Sequence, residues 1–185
     1  MKANILTFTE NEAIDYLNRT KRSNQIYMYK FDVDVVFRKG KKSDEQIGKV
    51  RYKEDSRPQK SYNSRTKTEQ DKKNDIVTYQ KGGTDDLYVL AKSGGVSLFD
   101  GMSSKIKLGK NDCWWVITKN AKLEEGLVIA KDMFSDSEGN THYSIEPDRD
   151  MLLSEYIEKL EELKKIIEDF KIGENSKNRT DSLLS

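Results

Sequence analysis

The chain predicts an α+β fold with a mixed, mostly antiparallel sheet, and three features say so. Short runs of β-branched and aromatic residues recur along its 185 residues, broken by Gly, Asp and Asn turns. Only two stretches carry the three-and-four spacing of a long amphipathic helix, one towards each end. Hydrophobic and charged residues each make up 35%, which leaves a modest core and much solvated surface. We therefore expect one domain over residues 1–171, with a polar insertion, and a disordered tail over 172–185.

The first helix is marked by Thr9 and Glu12, a capping box, with Phe8 and Ala13 in staple positions. It should run to about Arg22 and bury Ala13, Ile14, Tyr16 and Leu17. Gln25 to Arg38 reads as a first long strand, with Val33, Val35 and Phe37 alternating against Asp32 and Asp34. From Arg38 to Lys73 there are thirteen Lys or Arg against six Asp or Glu, an excess of seven. Gly48 to Lys53 fits a short strand, whereas Glu54 to Asn74 has too little apolar surface to offset the entropy of ordering. The insertion, about residues 39–74, is expected to be mobile. It is either a solvated loop or a basic flap that steers a polyanion or acidic partner, with Tyr52 and Tyr62 placed to stack on unpaired bases.

Ile76 to Tyr79 makes a strand that Gly82 and Gly83 break. Asp85 to Asp100 then reads as a strand, a Gly94-Gly95 turn and a short helix. Asp112 to Thr118 is a buried strand, and Glu125 to Phe134 pairs with Thr141 to Glu146 as a hairpin. Trp114 and Trp115 point to opposite faces, so one is expected in the core and the other either borders a cleft or is core as well. Cys113 has no His or Cys at metal or catalytic spacing and reads as core filler. Pro147 to Asp150 opens the second helix, which runs to about Phe170 with Leu153, Tyr156, Leu160, Leu163, Ile167 and Phe170 as an apolar seam and an acidic outer face; the seam is expected to pack on the sheet rather than in a coiled coil, with its last turns left for a partner.

A net charge of +1 favours neither nucleic acid nor membrane. With a lone cysteine and no apolar run near 18 residues, the chain is expected to act in a reducing cytoplasm, that of the producing cell or of a target cell, with no membrane partner. It shows no Walker loop, Rossmann fingerprint, metal cluster or Ser/His/Asp signature. Two stretches carry the remaining chemistry. The Gly94-Gly95 turn, followed by Ser97 and Leu98-Phe99, lets a flat ligand approach the backbone, although such turns also serve only to reverse the chain. His142, the only histidine, shares one strand face with Ser144 and Glu146, while Thr141, Tyr143 and Ile145 point the other way. A plain solvated strand face is the alternative.

In this order the two stretches resemble the small type VI secretion effector toxins with an ADP-ribosyltransferase-like fold, the Tse-two family. Leu87-Tyr88, the Gly-Gly turn with Ser97-Leu98-Phe99-Asp100, and His142-Tyr143 followed by Ile145 and Pro147 carry the likeness. It runs from about Asp86 to Leu163, with a fainter echo at Tyr27 to Val36. The resemblance implies a split sheet with a cleft, NAD+ as substrate, no metal, and transfer of ADP-ribose to an intracellular macromolecule. It implies that Tyr88, Gly94, Gly95, Ser97 and Phe99 frame the nicotinamide slot, that Ser97 orients ribose or amide, that His142 bonds the substrate or moves a proton, and that Glu146 supplies a carboxylate. The aromatic-Arg pair that holds the dinucleotide in this superfamily is matched most nearly by Tyr29-Lys30, where lysine keeps the charge but loses the planar fork. The basic segment favours nucleic acid as target; the alternatives are a protein target, NAD+ hydrolysis, or a non-catalytic RNA-binding module. A chain toxic to its own cytoplasm also implies an antitoxin or immunity partner, docked on the Leu153 to Phe170 seam or on the basic segment.

Overall fold

The computed structural model describes residues 7–21, 24–41, 50–53, 60–167 and 171–172. β1 (Phe8–Thr9) leads directly into α1 (Glu10–Thr20). The capping box is closed: Thr9 N–H donates to Glu12 Oε2 at 2.8 Å, and Glu12 N–H donates to Thr9 Oγ1 at 3.4 Å. Ala13, with Phe8, Tyr16 and Leu17, packs on Val77, Tyr79 and Leu90. The helix ends two residues earlier than expected, and Ile14, expected inside, is 38% exposed.

The stretch expected as one long strand is two, β2 (Gln25–Met28) and β3 (Val35–Lys41), parted at residues 29–34. Distant partners hold this bend. Asp32 accepts from Lys131 and, at 2.8 Å, from the Tyr143 hydroxyl, while Asp34 pairs with Lys119. The bend also turns Phe31 inward, its ring centroid 5.8 Å from that of Tyr143.

β3 carries on to Lys41, past the expected start of the insertion. Residues 50–53 form no strand. Further on, β4 (Lys60–Asn63) and β5 (Thr68–Asp71) make an exposed hairpin that hydrophobic patterning does not reveal. Its turn is held by Asn63 Oδ1, which accepts from the Arg65 and Thr66 N–H groups at 3.0 and 3.3 Å. Residues 42–49 and 54–59 of the basic segment, and the expected tail from 173, lie outside the described residues.

β6 (Thr78–Gln80) and β7 (Leu87–Val89) precede the glycine turn, and β8 (Val96–Phe99) follows it. β8 replaces the expected short helix because its residues alternate, Val96 and Leu98 being buried and Ser97 exposed. β9 (Asp112–Thr118), β10 (Leu127–Ser135), β11 (Thr141–Pro147), β12 (Met151–Leu152), α2 (Leu153–Ile167) and β13 (Lys171–Ile172) complete the order. α2 starts later than expected because Pro147 still pairs with Leu127 and because Asp150 is engaged elsewhere. Its carboxylate accepts from the Ala91 N–H and the Tyr79 hydroxyl, both at 2.8 Å.

Two sheets result. The larger has the order β13-β9-β3-β8-β11-β10-β2 and the smaller β1-β6-β7-β12. β1 and β6 run parallel, and the other pairings among the described residues are antiparallel. One face of the large sheet, with Val36, Leu98, Trp115, Tyr143 and Ile145, shares a core with Val89 and Met151 of the small sheet and with Tyr156, Leu160 and Leu163 of α2. The α2 seam as far as Leu163 packs against the sheet, as expected; the Ile167 side chain and Phe170 lie outside the described residues. Trp114 lies on the opposite face from Trp115, with Phe37 and Val116, and both tryptophans are buried, as is Cys113.

Candidate active site

The site lies on the large sheet's other face, and strand register assembles it. In β11 the residues His142, Ser144 and Glu146 share that face, about 13 Å from first to last at the usual strand rise. Ser144 stands directly opposite Ser97 of β8, and His142 opposite Phe99. Ala130 of β10 faces Ser144 and also Tyr27 of β2, which brings Tyr27 to the same face.

Glu146 holds one end. It is 2% exposed, and its Oε1 accepts from Ser144 Oγ at 2.5 Å, whereas Oε2 has no hydrogen-bond partner. Burial pushes its carboxyl up from the usual range; the Ser144 hydroxyl, the Gly94 N–H and the Lys21 charge oppose that, and Asp132 adds to it. A buried carboxylate with one orphaned oxygen costs free energy unless something supplies a donor or a positive charge. The Tyr27 phenol, itself pushed up to about 12 by burial and then by the Glu146 charge, stands nearby. Lys92 Nζ lies 4.9 Å from the Tyr27 ring centroid and Lys21 Nζ 5.6 Å. Lys92 keeps a positive φ of 53°, a backbone state that a side chain rarely adopts.

Close packing makes the glycine turn. Gly94 has φ +113°, and a Cβ there would lie 2.2 Å from Asp75 O; a Cβ on Gly95 would lie 1.9 Å from Ile145 O and 2.8 Å from the Tyr156 hydroxyl. That hydroxyl donates to Ile145 O at 2.8 Å, so the turn, β11 and α2 are locked at one point.

His142 holds the other end. Its Nδ1 is 3.1 Å from Asp132 Oδ2, and Gln25 Nε2 donates to Asp132 Oδ1 at 3.0 Å. A carboxylate at Nδ1 fixes the proton there and leaves the lone pair on Nε2. The ring also tilts against Phe99, centroids 5.2 Å apart. Asp132 escaped sequence reasoning because it lies ten residues from His142 on the partner strand, where a register shift between Lys131 and Ser135 hides the pairing.

Residues 22–171 are matched by a family model, that of the Tse2 ADP-ribosyltransferase toxin. The chain belongs to that family. A comparison with curated proteins gives no match. The toxin therefore carries the ADP-ribosyltransferase character of its family, and the match spans both walls of the site, from β2 to β13. Among the described residues no group of three or more His, Cys, Asp or Glu is placed to hold a metal ion, and no helix is long and apolar enough to cross a membrane.

The other expected site residues are placed as follows. Ser97, Gly94, Gly95 and Phe99 gather at the site. Tyr88 lies in the small sheet, stacked on Tyr79 at 5.7 Å, and is not brought to the glycine turn. Tyr29 and Lys30 fall in the bend after β2 rather than on a strand. Tyr29 reaches the rim, its hydroxyl donating to Asp148 at 2.8 Å, with Asp148 3.9 Å from Lys92. Lys30 opens on a separate cavity. The aromatic-Arg pair that does lie on a core strand is Phe37-Arg38, and Arg38 Nη1 donates to Ser97 O at 2.9 Å. The strand break hides this pair from sequence reasoning, which takes Tyr29-Lys30 as part of the same strand.

Proposed function

We propose that this toxin transfers ADP-ribose from NAD+ to a macromolecule inside a bacterial cell, a nucleic acid. The observation that carries the reading is Glu146: a buried carboxylate with an orphaned oxygen, in a chain of an ADP-ribosyltransferase family, beside a glycine turn too tight for any Cβ. The cations Lys21 and Lys92, both over the Tyr27 ring, suit the diphosphate. NAD+ supplies the group transferred: the ribose C1′–N bond breaks with its electron pair leaving on nicotinamide, and an acceptor O–H or N–H bonds C1′ and loses its proton.

Glu146 balances the positive charge that grows on the ribose, a task for a preorganised carboxylate in a site of low dielectric. Ser97 orients the ribose or the amide. His142, held by Asp132, presents Nε2 to take the acceptor's proton. Arg38 carries the planar fork that Lys30 lacks, but it lies on the Trp115 face of β3, across the sheet from Glu146. Nucleic acid is favoured by the basic excess between Arg38 and Lys73. A cognate antitoxin or immunity protein restrains the toxin in its own cell, with the basic segment and the last turns of α2 as its docking surfaces.

Labelled NAD+ incubated with bacterial lysate should mark a macromolecule whose label is lost to nuclease and kept under protease. Glu146→Gln should abolish the label and the growth arrest while the protein stays folded. Intact NAD+ and an unmarked lysate would sink the reading, and label lost only to protease would reassign the target.

A further inference from the structure

Away from Glu146, the bend after β2 and the loop after β9 enclose a cavity of about 360 Å³, lined by Tyr29, Lys30, Lys119, Asn120, Lys122 and Leu123 among others. Three lysines line it. Lys119 is neutralised by Asp34, but Lys30 and Lys122 have no counter-charge among the described residues. Of the nearby carboxylates, Asp148 is taken by the Tyr29 hydroxyl, and neither Glu124 nor Glu125 lines the cavity. Tyr29 is 64% exposed, yet its hydroxyl bond to Asp148 fixes the ring in place. An anchored, solvent-facing aromatic plate beside two unpaired cations and an amide side chain is the arrangement that takes an unpaired base by stacking and its phosphates by charge.

We infer that this cavity is the docking subsite for the acceptor, and that it takes one nucleotide unit of a single-stranded nucleic acid. The inference rests on the transferase reading above and names its substrate class. The volume admits one unpaired base with its sugar, which a duplex cannot offer. The subsite also adjoins the reaction site: Tyr29 contacts Asp148, Asp148 contacts Lys92, and Lys92 lies over Tyr27. A strand held at Tyr29 would run on towards Lys92 and Tyr27.

The same nucleotide chemistry could come from NAD+ itself, and the experiment separates the two sources. Binding of a labelled single-stranded RNA oligonucleotide is measured by anisotropy across a salt series without NAD+, and affinity for NAD+ is measured by calorimetry without RNA. Lys122→Ala should weaken RNA binding and lower the slope of log K against log salt by about 0.7, and the double change with Lys30→Ala by about 1.4. Tyr29→Ala should weaken RNA binding about tenfold, while Tyr29→Phe, which keeps the ring, stays within about twofold. NAD+ affinity of Lys122→Ala should not move. RNA binding unchanged in these variants overturns the inference, as does a loss confined to NAD+ affinity, which would give the cavity to the dinucleotide. RNA effects as expected in a protein that never consumes NAD+ would uphold the subsite and sink the transferase reading instead.

Discussion

Glu146 and His142 stand on one strand face but do different work, and their environments separate them. Burial raises the Glu146 carboxyl above its unfolded value near 4.5. A group raised in this way adds stability below its unfolded pKa and loses it as pH climbs through the folded one. Glu146→Gln removes that loss. Its melting temperature should rise relative to the parent between pH 5 and pH 8, on a scale of about 3 °C per kcal/mol, and an unchanging difference would mean that the folded carboxyl titrates as the unfolded one does. If the ionised form is the working one, transferase activity should fall on acidification at a pH above the ordinary carboxylate range. Asp132→Asn should cut kcat by about tenfold or more with little change in KM, through loss of the His142 orientation. Asp132→Glu should restore part of the rate, which a merely structural role would not predict. His142, Ser144 and Glu146 are legible in sequence because strand alternation is a local rule. Asp132 is not, since its pairing depends on an irregularity in a neighbouring strand.

The glycine turn between β7 and β8 is where small side-chain volume matters most. Gly95→Ala would drive a methyl into Ile145 O and the Tyr156 hydroxyl, and we expect denaturant unfolding to show a loss of about 1–3 kcal/mol. Gly83, also at positive φ but with nothing within 4 Å of a Cβ, is the control: alanine there should meet only the cost of its backbone conformation, about 1 kcal/mol. β9 and β11 are legible from their apolar runs and alternation. The break between β2 and β3 is not, because no Gly or Pro marks it and its partners, Lys131, Tyr143 and Lys119, come 99, 111 and 85 residues later. The β4–β5 hairpin escapes for a different reason: main-chain pairing and an Asn63 turn hold it without any buried face.

At the scale of the whole molecule, that hairpin should be separable from the fold. Its strand residues are exposed apart from the half-buried Asn63, and a two-stranded ribbon adds little stability of its own. Replacing residues 60–71 with a short Gly-Ser linker should change unfolding free energy by less than about 1 kcal/mol and leave NAD+ cleavage intact; a large loss would show that the ribbon braces the sheet. Strand order has a consequence in time as well as in space. β2 and β3 are consecutive in the chain, yet β8, β11 and β10 lie between them in the sheet. A polypeptide emerging from its N-terminus therefore keeps β2 as an unpaired edge until β10 has arrived, and such long-range closure is slow. Chains halted after residue 126 should leave the Gln25–Met28 amides open to hydrogen exchange, whereas chains that extend through Pro147 should protect them. Poisonous activity can then begin only near the end of synthesis, which gives a restraining partner time to meet the chain before it is armed.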